Sequence, residues 1–192
     1  DIMINAIDLE WHDRERGELT EIGIAVLDSR DIKNVEPGTN GENWMKQVWY
    51  YHLRIKEAGH LQFSKGNPEK FQWGTTVWVT MEQAKAILTD CFNWPAEDIQ
   101  DPRPRPIVFL GHALHNDIRK LKEKMGLDLD QFGTIVKKVD TQIMAKNVGI
   151  GPRRRQVIGL ATLCNELGIS PSELHNCGND IAFTMICALL MA

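Results

Sequence analysis

The chain predicts an α/β fold with a mixed sheet. Two observations carry that reading: three strand-like segments open the sequence with turn or loop residues between them, and helix-like and strand-like segments then alternate to the end. Neither an internal repeat nor a low-complexity tract interrupts the pattern. At 192 residues the chain is expected to form one domain with a sizeable core. It opens without Met on a strand-like segment, so we expect a domain taken from a longer protein.

IMINAIDLE (residues 2–10) alternates and is rich in Ile, as a buried strand should be. ERG provides a turn before LTEIGIAVLD (19–28), and VWYYHLRI (48–55) is aromatic and β-branched, so the three read as an antiparallel meander. The polar SRDIKNVEPGTNGEN between the last two reads as a loop. TMEQAKAILTDCFNW (80–94) has helical spacing behind a Thr cap. DPRPRP (101–106) reads as a stiff surface connection, with an SH3-type ligand as the other reading, and it leads into the strand IVFLG (107–111). HNDIRKLKEKMG is a helix ended by Gly, IVKKVD (135–140) a strand and TQIMAKN a helix. RQVIGLATLCNELG and NDIAFTMICALLM complete the helices.

Composition narrows the function. With 43% hydrophobic and 25% charged residues the chain is an ordinary globular protein, and its net charge of -4 argues against a general nucleic-acid coat or membrane-surface binder. The apolar tail from Ile181 is too short to span a bilayer. Four cysteines without a CxxC pair suggest reduced thiols and an intracellular location, the cytoplasm before the nucleus.

The acids carry the chemistry. Asp8 and Glu10 in IDLEW lie two apart on a strand, so both project from one face near its end. Asp117 falls at the start of the helix after IVFLG, where capping is the ordinary reading; Asp140 is read as the cap of TQIMAKN. Asp180 sits in the first turn of the last helix, with His175 five residues earlier in LHNCGND and Gly178 expected to turn the loop. Carboxylates brought together repel and raise their pKa values unless divalent cations supply positive charge. Mg²⁺ or Mn²⁺ suits such oxygen ligands, and His175 would then act as general base.

IDLEW, GHALHNDIRKL, VDTQIMA, IGLATLCNELGI and HNCGNDIAFTMICALL resemble, in order and spacing, the DEDDh 3′–5′ exonucleases of the RNase H-like fold. TEIGIAVLD, GNPEKFQWGTT and LHNCGND are similar to a fungal subgroup that includes an Argonaute-interacting exonuclease of RNA silencing. The resemblance implies a mixed five-stranded sheet flanked by helices, with the acids gathered at its edge. It implies two divalent cations, Mg²⁺ or Mn²⁺, held by Asp8, Glu10, Asp117 and Asp180, and His175 as general base. It implies release of 5′-mononucleotides from single-stranded RNA or DNA with a free 3′ end, and an Argonaute as partner. Trp11 and Ala113 replace the Thr and Asn frequent in the family, which unsettles the usual contacts to the terminal ribose.

Leu9 and Trp11 are candidate nucleic-acid contacts, Trp11 by stacking on the last base or else by covering the sheet edge. Arg153, Arg154 and Arg155 in GPRRRQ are candidate phosphate ligands or a solvated loop. Lys120, Lys122 and Lys124 read as solubilising. Trp44, Trp49, Trp73 and Trp78 would cover one face of the sheet, or else form a partner patch. Two rival readings compete with the enzyme: a nuclease-like module that has lost catalysis and binds a protein, and a zinc site of His112, His115, His175 and Cys177.

Overall fold

A computed structural model describes residues 1–14, 17–96, 103–151 and 157–192. In chain order it has β1 (Met3–Trp11), β2 (Leu19–Asp28), the short helices α1 (Ser29–Ile32) and α2 (Glu42–Met45), then β3 (Trp49–Ile55) and β4 (Thr76–Val79). There follow α3 (Met81–Cys91), β5 (Ile107–Gly111), α4 (His115–Met125), β6 (Ile135–Asp140), α5 (Thr141–Asn147), α6 (Leu160–Glu166) and α7 (Cys177–Met191). The fold is an α/β mixed sheet flanked by helices, as expected, but the sheet has six strands rather than five, in the order β4-β3-β2-β1-β5-β6. β1, β2 and β3 form the antiparallel meander, and β5 and β6 run parallel on the other side of β1. β4 is the addition, parallel to β3. Its four residues, TVWV, lie directly before the Thr80 cap and are too few for alternation to show.

Two layers of helix cover the sheet. On one face α3 and α4 bring Leu88, Phe92, Leu121 and Met125 onto Ile7, Leu9, Ile22 and Leu53. On the other, α7 lies across β1, β2 and β3 with α5 and α6 outside it. That position explains why α7 is apolar around its circumference: the sheet takes one side, and Cys164, Leu163 and Ala145 the other. The α7 backbone sits directly on the sheet. A Cβ on Gly23 would lie 2.0 Å from the Cys177 carbonyl oxygen, and one on Gly178 2.6 Å from the Phe71 ring. Gly178 therefore permits close approach inside the helix and does not turn the loop; the left-handed residues there are Glu173 (φ 50) and His175 (φ 62).

Other expectations need correction. The polar segment after β2 contains α1 and α2. α6 starts only at Leu160, and α7 two residues early, because Asn176 caps it by accepting from the Asn179 N–H. Of DPRPRP, 103–106 are described; Arg105 is buried there in a bidentate pair with Asp28, each bond 2.6 Å, so the segment is not purely a surface connection. The tryptophans do not share a face. Trp49, opposite Val26 on β3, is exposed on the α3 side, whereas Trp78 carries Arg54 over its ring on the other side and Trp73 meets Tyr50 and Phe183.

Candidate active site

Asp8 and Glu10 project from one face at the carboxyl end of β1, an inner strand of the sheet and not an edge strand. Their cross-strand partners on β2 are Gly23 and Glu21. Because Gly23 has no side chain, the first turn of α7 settles above it and delivers Asp180 to the two β1 acids. Asp180 in turn accepts the His175 N–H with both oxygens, at 3.2 and 3.0 Å, which folds the preceding loop back over the helix end. The His175 Nδ1 then stands 3.7 Å from Glu10 Oε1. One ligand atom each from Glu10, His175 and Asp180 lies within 4.8 Å of the others.

Asp117 arrives from the first turn of α4 and is not its N-cap residue, which is Leu114. The capping role belongs to Asp140, which accepts from Gln142 N at the start of α5 and also from Ala113 N and Leu114 N at the start of α4. Relieved of that task, Asp117 is buried and accepts the Leu9 N–H at 3.1 Å. The Leu9 side chain is packed into the core, so its backbone is what faces the site. Trp11 is half-buried against the same core, and the Lys120 ammonium lies 4.6 Å from its ring centroid. Arg153, Arg154 and Arg155 lie outside the described residues.

The electrostatics follow from burial of like charges. Asp8 is raised well above the usual carboxylate range, first by burial and then by Asp117, Asp180, Glu10 and Glu21. Glu10 is pushed up to about 9 by burial and then by Asp180, Glu21 and Asp117. Burial pushes Asp117 up to about 8 against the lowering bond from Leu9, and Asp180 up to about 7 against that from His175. His175 is lowered, chiefly by burial and then by Lys65. Four acids destabilised in this way fit hard divalent cations, which would be held by Asp8, Glu10, Asp117 and Asp180. The zinc quartet does not form: His112 bonds Thr141, His115 is exposed, and Cys177 is buried against Glu21.

Glu21 and its partners were not found from the sequence. This buried acid pairs with His52 Nε2 at 2.9 Å and Arg54 at 3.2 Å, while His52 Nδ1 meets Thr76 Oγ1 at 2.8 Å. The cluster forms the floor beneath Glu10. Its signal was a lone acid inside the apolar run LTEIGIAVLD, with partners too far along the chain to pair by inspection.

The mixed α/β sheet thus brings four acids together beside a histidine. The chain belongs to the DEDDh family: residues 3–191 match the model described as DNA polymerase III subunit epsilon-like, C-terminal domain. The uncharacterized protein YDR514C of Saccharomyces cerevisiae is 26% identical over 201 residues, covering 96% of this chain and 40% of the yeast protein. Among solved structures, exonuclease I superposes with a TM-score of 0.59 at 14% identity, over 99% of this chain and 40% of that one. A zinc-bound complex of Escherichia coli exonuclease I with single-stranded DNA gives 0.58 at 15%, over 99% and 40%. The chain thus spans less than half the length of these proteins, and the structural likeness is one of fold.

Proposed function

We propose that the chain is a 3′–5′ exonuclease that hydrolyses single-stranded RNA or DNA to 5′-mononucleotides. The observation that carries this reading is the convergence of Glu10, His175 and Asp180 within 4.8 Å, with Asp8 and Asp117 raising the same local charge. Family membership and the DNA-bound exonuclease I neighbour support it. Two bound cations, Mg²⁺ or Mn²⁺, would supply charge neutralisation at both the attacking and the leaving oxygen of the phosphodiester. His175 does the proton chemistry. Its lowered pKa keeps the imidazole neutral near pH 7, able to take the proton from water as the oxygen attacks phosphorus. The P–O3′ bond breaks, the terminal nucleotide leaves with its 5′-phosphate, and the leaving 3′-oxygen takes a proton from solvent water, so the shortened strand ends in a 3′-hydroxyl.

A lapsed, partner-binding module is the weaker reading, because all five side chains of the set are present and brought together. Removal of a passenger strand beside an Argonaute is the finer proposal, and its support is the resemblance of TEIGIAVLD, GNPEKFQWGTT and LHNCGND to the fungal subgroup. The test uses RNA and DNA oligonucleotides labelled at the 5′ end. Ladders shortening from the 3′ end with Mg²⁺ or Mn²⁺ and abolished by chelator are expected. Folded protein that shortens neither strand with either metal overturns the proposal in favour of the binding module.

A further inference from the structure

The last helix begins with two buried asparagines, and capping accounts for only one side-chain atom between them. Asn176 Oδ1 caps α7, but its Nδ2 donates to Asn67 O at 3.1 Å. Asn179 lies beyond the cap, in the first turn, and spends its whole amide on loops. Its Oδ1 accepts the Gln72 N–H at 2.9 Å, and its Nδ2 donates to Lys70 O and to Glu173 O, each at 2.9 Å. A fully buried amide with three good bonds, two of them to residues more than a hundred positions away, is a fastening between segments.

The segment it fastens is the long connection between β3 and β4, which runs past the mouth of the site. Phe63 packs its ring on the His175 imidazole, with centroids 5.3 Å apart. Ser64 donates to Asp13 across the opening at 2.7 Å. Gly66 lies so close that a Cβ there would sit 1.9 Å from the His175 carbonyl oxygen. On the other side, His175 and Glu173 both hold left-handed backbone that non-glycine residues adopt only when surroundings impose it. Two consecutive helix residues impose it here: Asp180 takes the His175 N–H, and Asn179 takes the Glu173 carbonyl.

We infer that Asn179 is a positioning residue for the reaction: by tying residues 70–72 and Glu173 to the first turn of α7, it holds Phe63 against the His175 ring and fixes where the base stands. The inference rests on the exonuclease reading above. Asn179 is fully buried with its amide bonded to loop backbone, so its effect passes through His175 and belongs to kcat.

The test pairs a rate measurement with amide exchange on Asn179→Leu, which keeps the branched heavy-atom shape and removes the bonds. In the wild type the Gln72 amide is protected from exchange; in N179L it exchanges at least tenfold faster. With the fold confirmed by thermal unfolding, kcat on a labelled oligonucleotide falls about ten- to a hundredfold, as for a misplaced catalytic group, and KM stays within twofold. Phe63→Leu leaves α7 and the Asn179 bonds in place and gives the same split; an unchanged kcat there overturns the link through Phe63 to His175 even where N179L fails to fold. Unchanged Gln72 protection overturns the fastening. Fast exchange with unchanged kcat, or an equal rise in KM, overturns the link to His175. A wild type that protects Gln72 but degrades no strand removes the exonuclease reading and this inference with it, while leaving the fastening itself established.

Discussion

His175 donates its backbone N–H to both carboxylate oxygens of Asp180, five residues further on, so one side chain shapes the loop and also charges the site. The two roles separate in Asp180→Asn. An amide oxygen can still accept from His175, so the loop should keep its form, while a metal-binding charge is lost. We expect a folded protein whose activity falls by more than about 100-fold, beyond the cost of disturbing the groups behind a metal ligand. Oligonucleotide degradation and a circular dichroism spectrum check both halves; retained activity would remove Asp180 from the site.

Stability without metal should fall as pH rises. Glu10, Asp117 and Asp180 are raised to about 9, 8 and 7, so between pH 6.5 and 9 the folded state holds protons that the unfolded state has released. The slope is then negative, on the order of 1.4 kcal/mol per pH unit for each proton fully held. His175 is lowered, the opposite sense, but its window lies below its usual pKa and leaves this range alone. Thermal unfolding in chelator should give a lower Tm at pH 8.5 than at pH 6.5, and Mn²⁺ should raise Tm more at the higher pH.

Of the three α4 lysines, Lys120 is the one without an acidic partner among the described residues, whereas Lys122 pairs with Asp128 and Lys124 with Glu18. It stands over Trp11, the residue after Glu10, and one helical turn beyond Asp117. We expect it to meet a backbone phosphate. Lys120→Met keeps the stem on Trp11, so fold and kcat should persist while the slope of log Kd against log salt for a single strand falls by about 0.7. An unchanged slope would return Lys120 to a solubilising role.

Gly23 gives the sequence its strictest packing demand. Gly23→Ala places a methyl 2.0 Å from backbone and must push α7 off the sheet. A loss of about 1–3 kcal/mol is expected, from overpacking, with activity falling because Asp180 moves with its helix. Denaturant unfolding measures the first and nuclease assay the second.

The places of the acids on their elements were legible because strand alternation and helix starts fix them without any long-range knowledge. Asp8 and Glu10 needed only a period of two, and Asp180 only the apolar run behind it. What failed depends on which distant segment arrives. Gly178 reads as a turn until Phe71 and His52 are seen against it, and β4 reads as the approach to a helix until it pairs with β3. Asn179 is one more polar residue in a loop-like stretch until Gln72 and Lys70 supply its partners. Asp117 has the position of a cap; only the reach of Asp140 to Leu114 shows that it is free for other work.

We propose that acids from β1, α4 and α7 form one divalent-cation site beside His175. Titration calorimetry with Mn²⁺ on chelator-washed protein at pH 7.5 measures this binding. Saturable binding in the wild type, with proton release from the displaced carboxyl groups and loss of binding in Asp180→Asn, is the result expected. Binding that is absent in the wild type, or equally strong in Asp180→Asn, would contradict it.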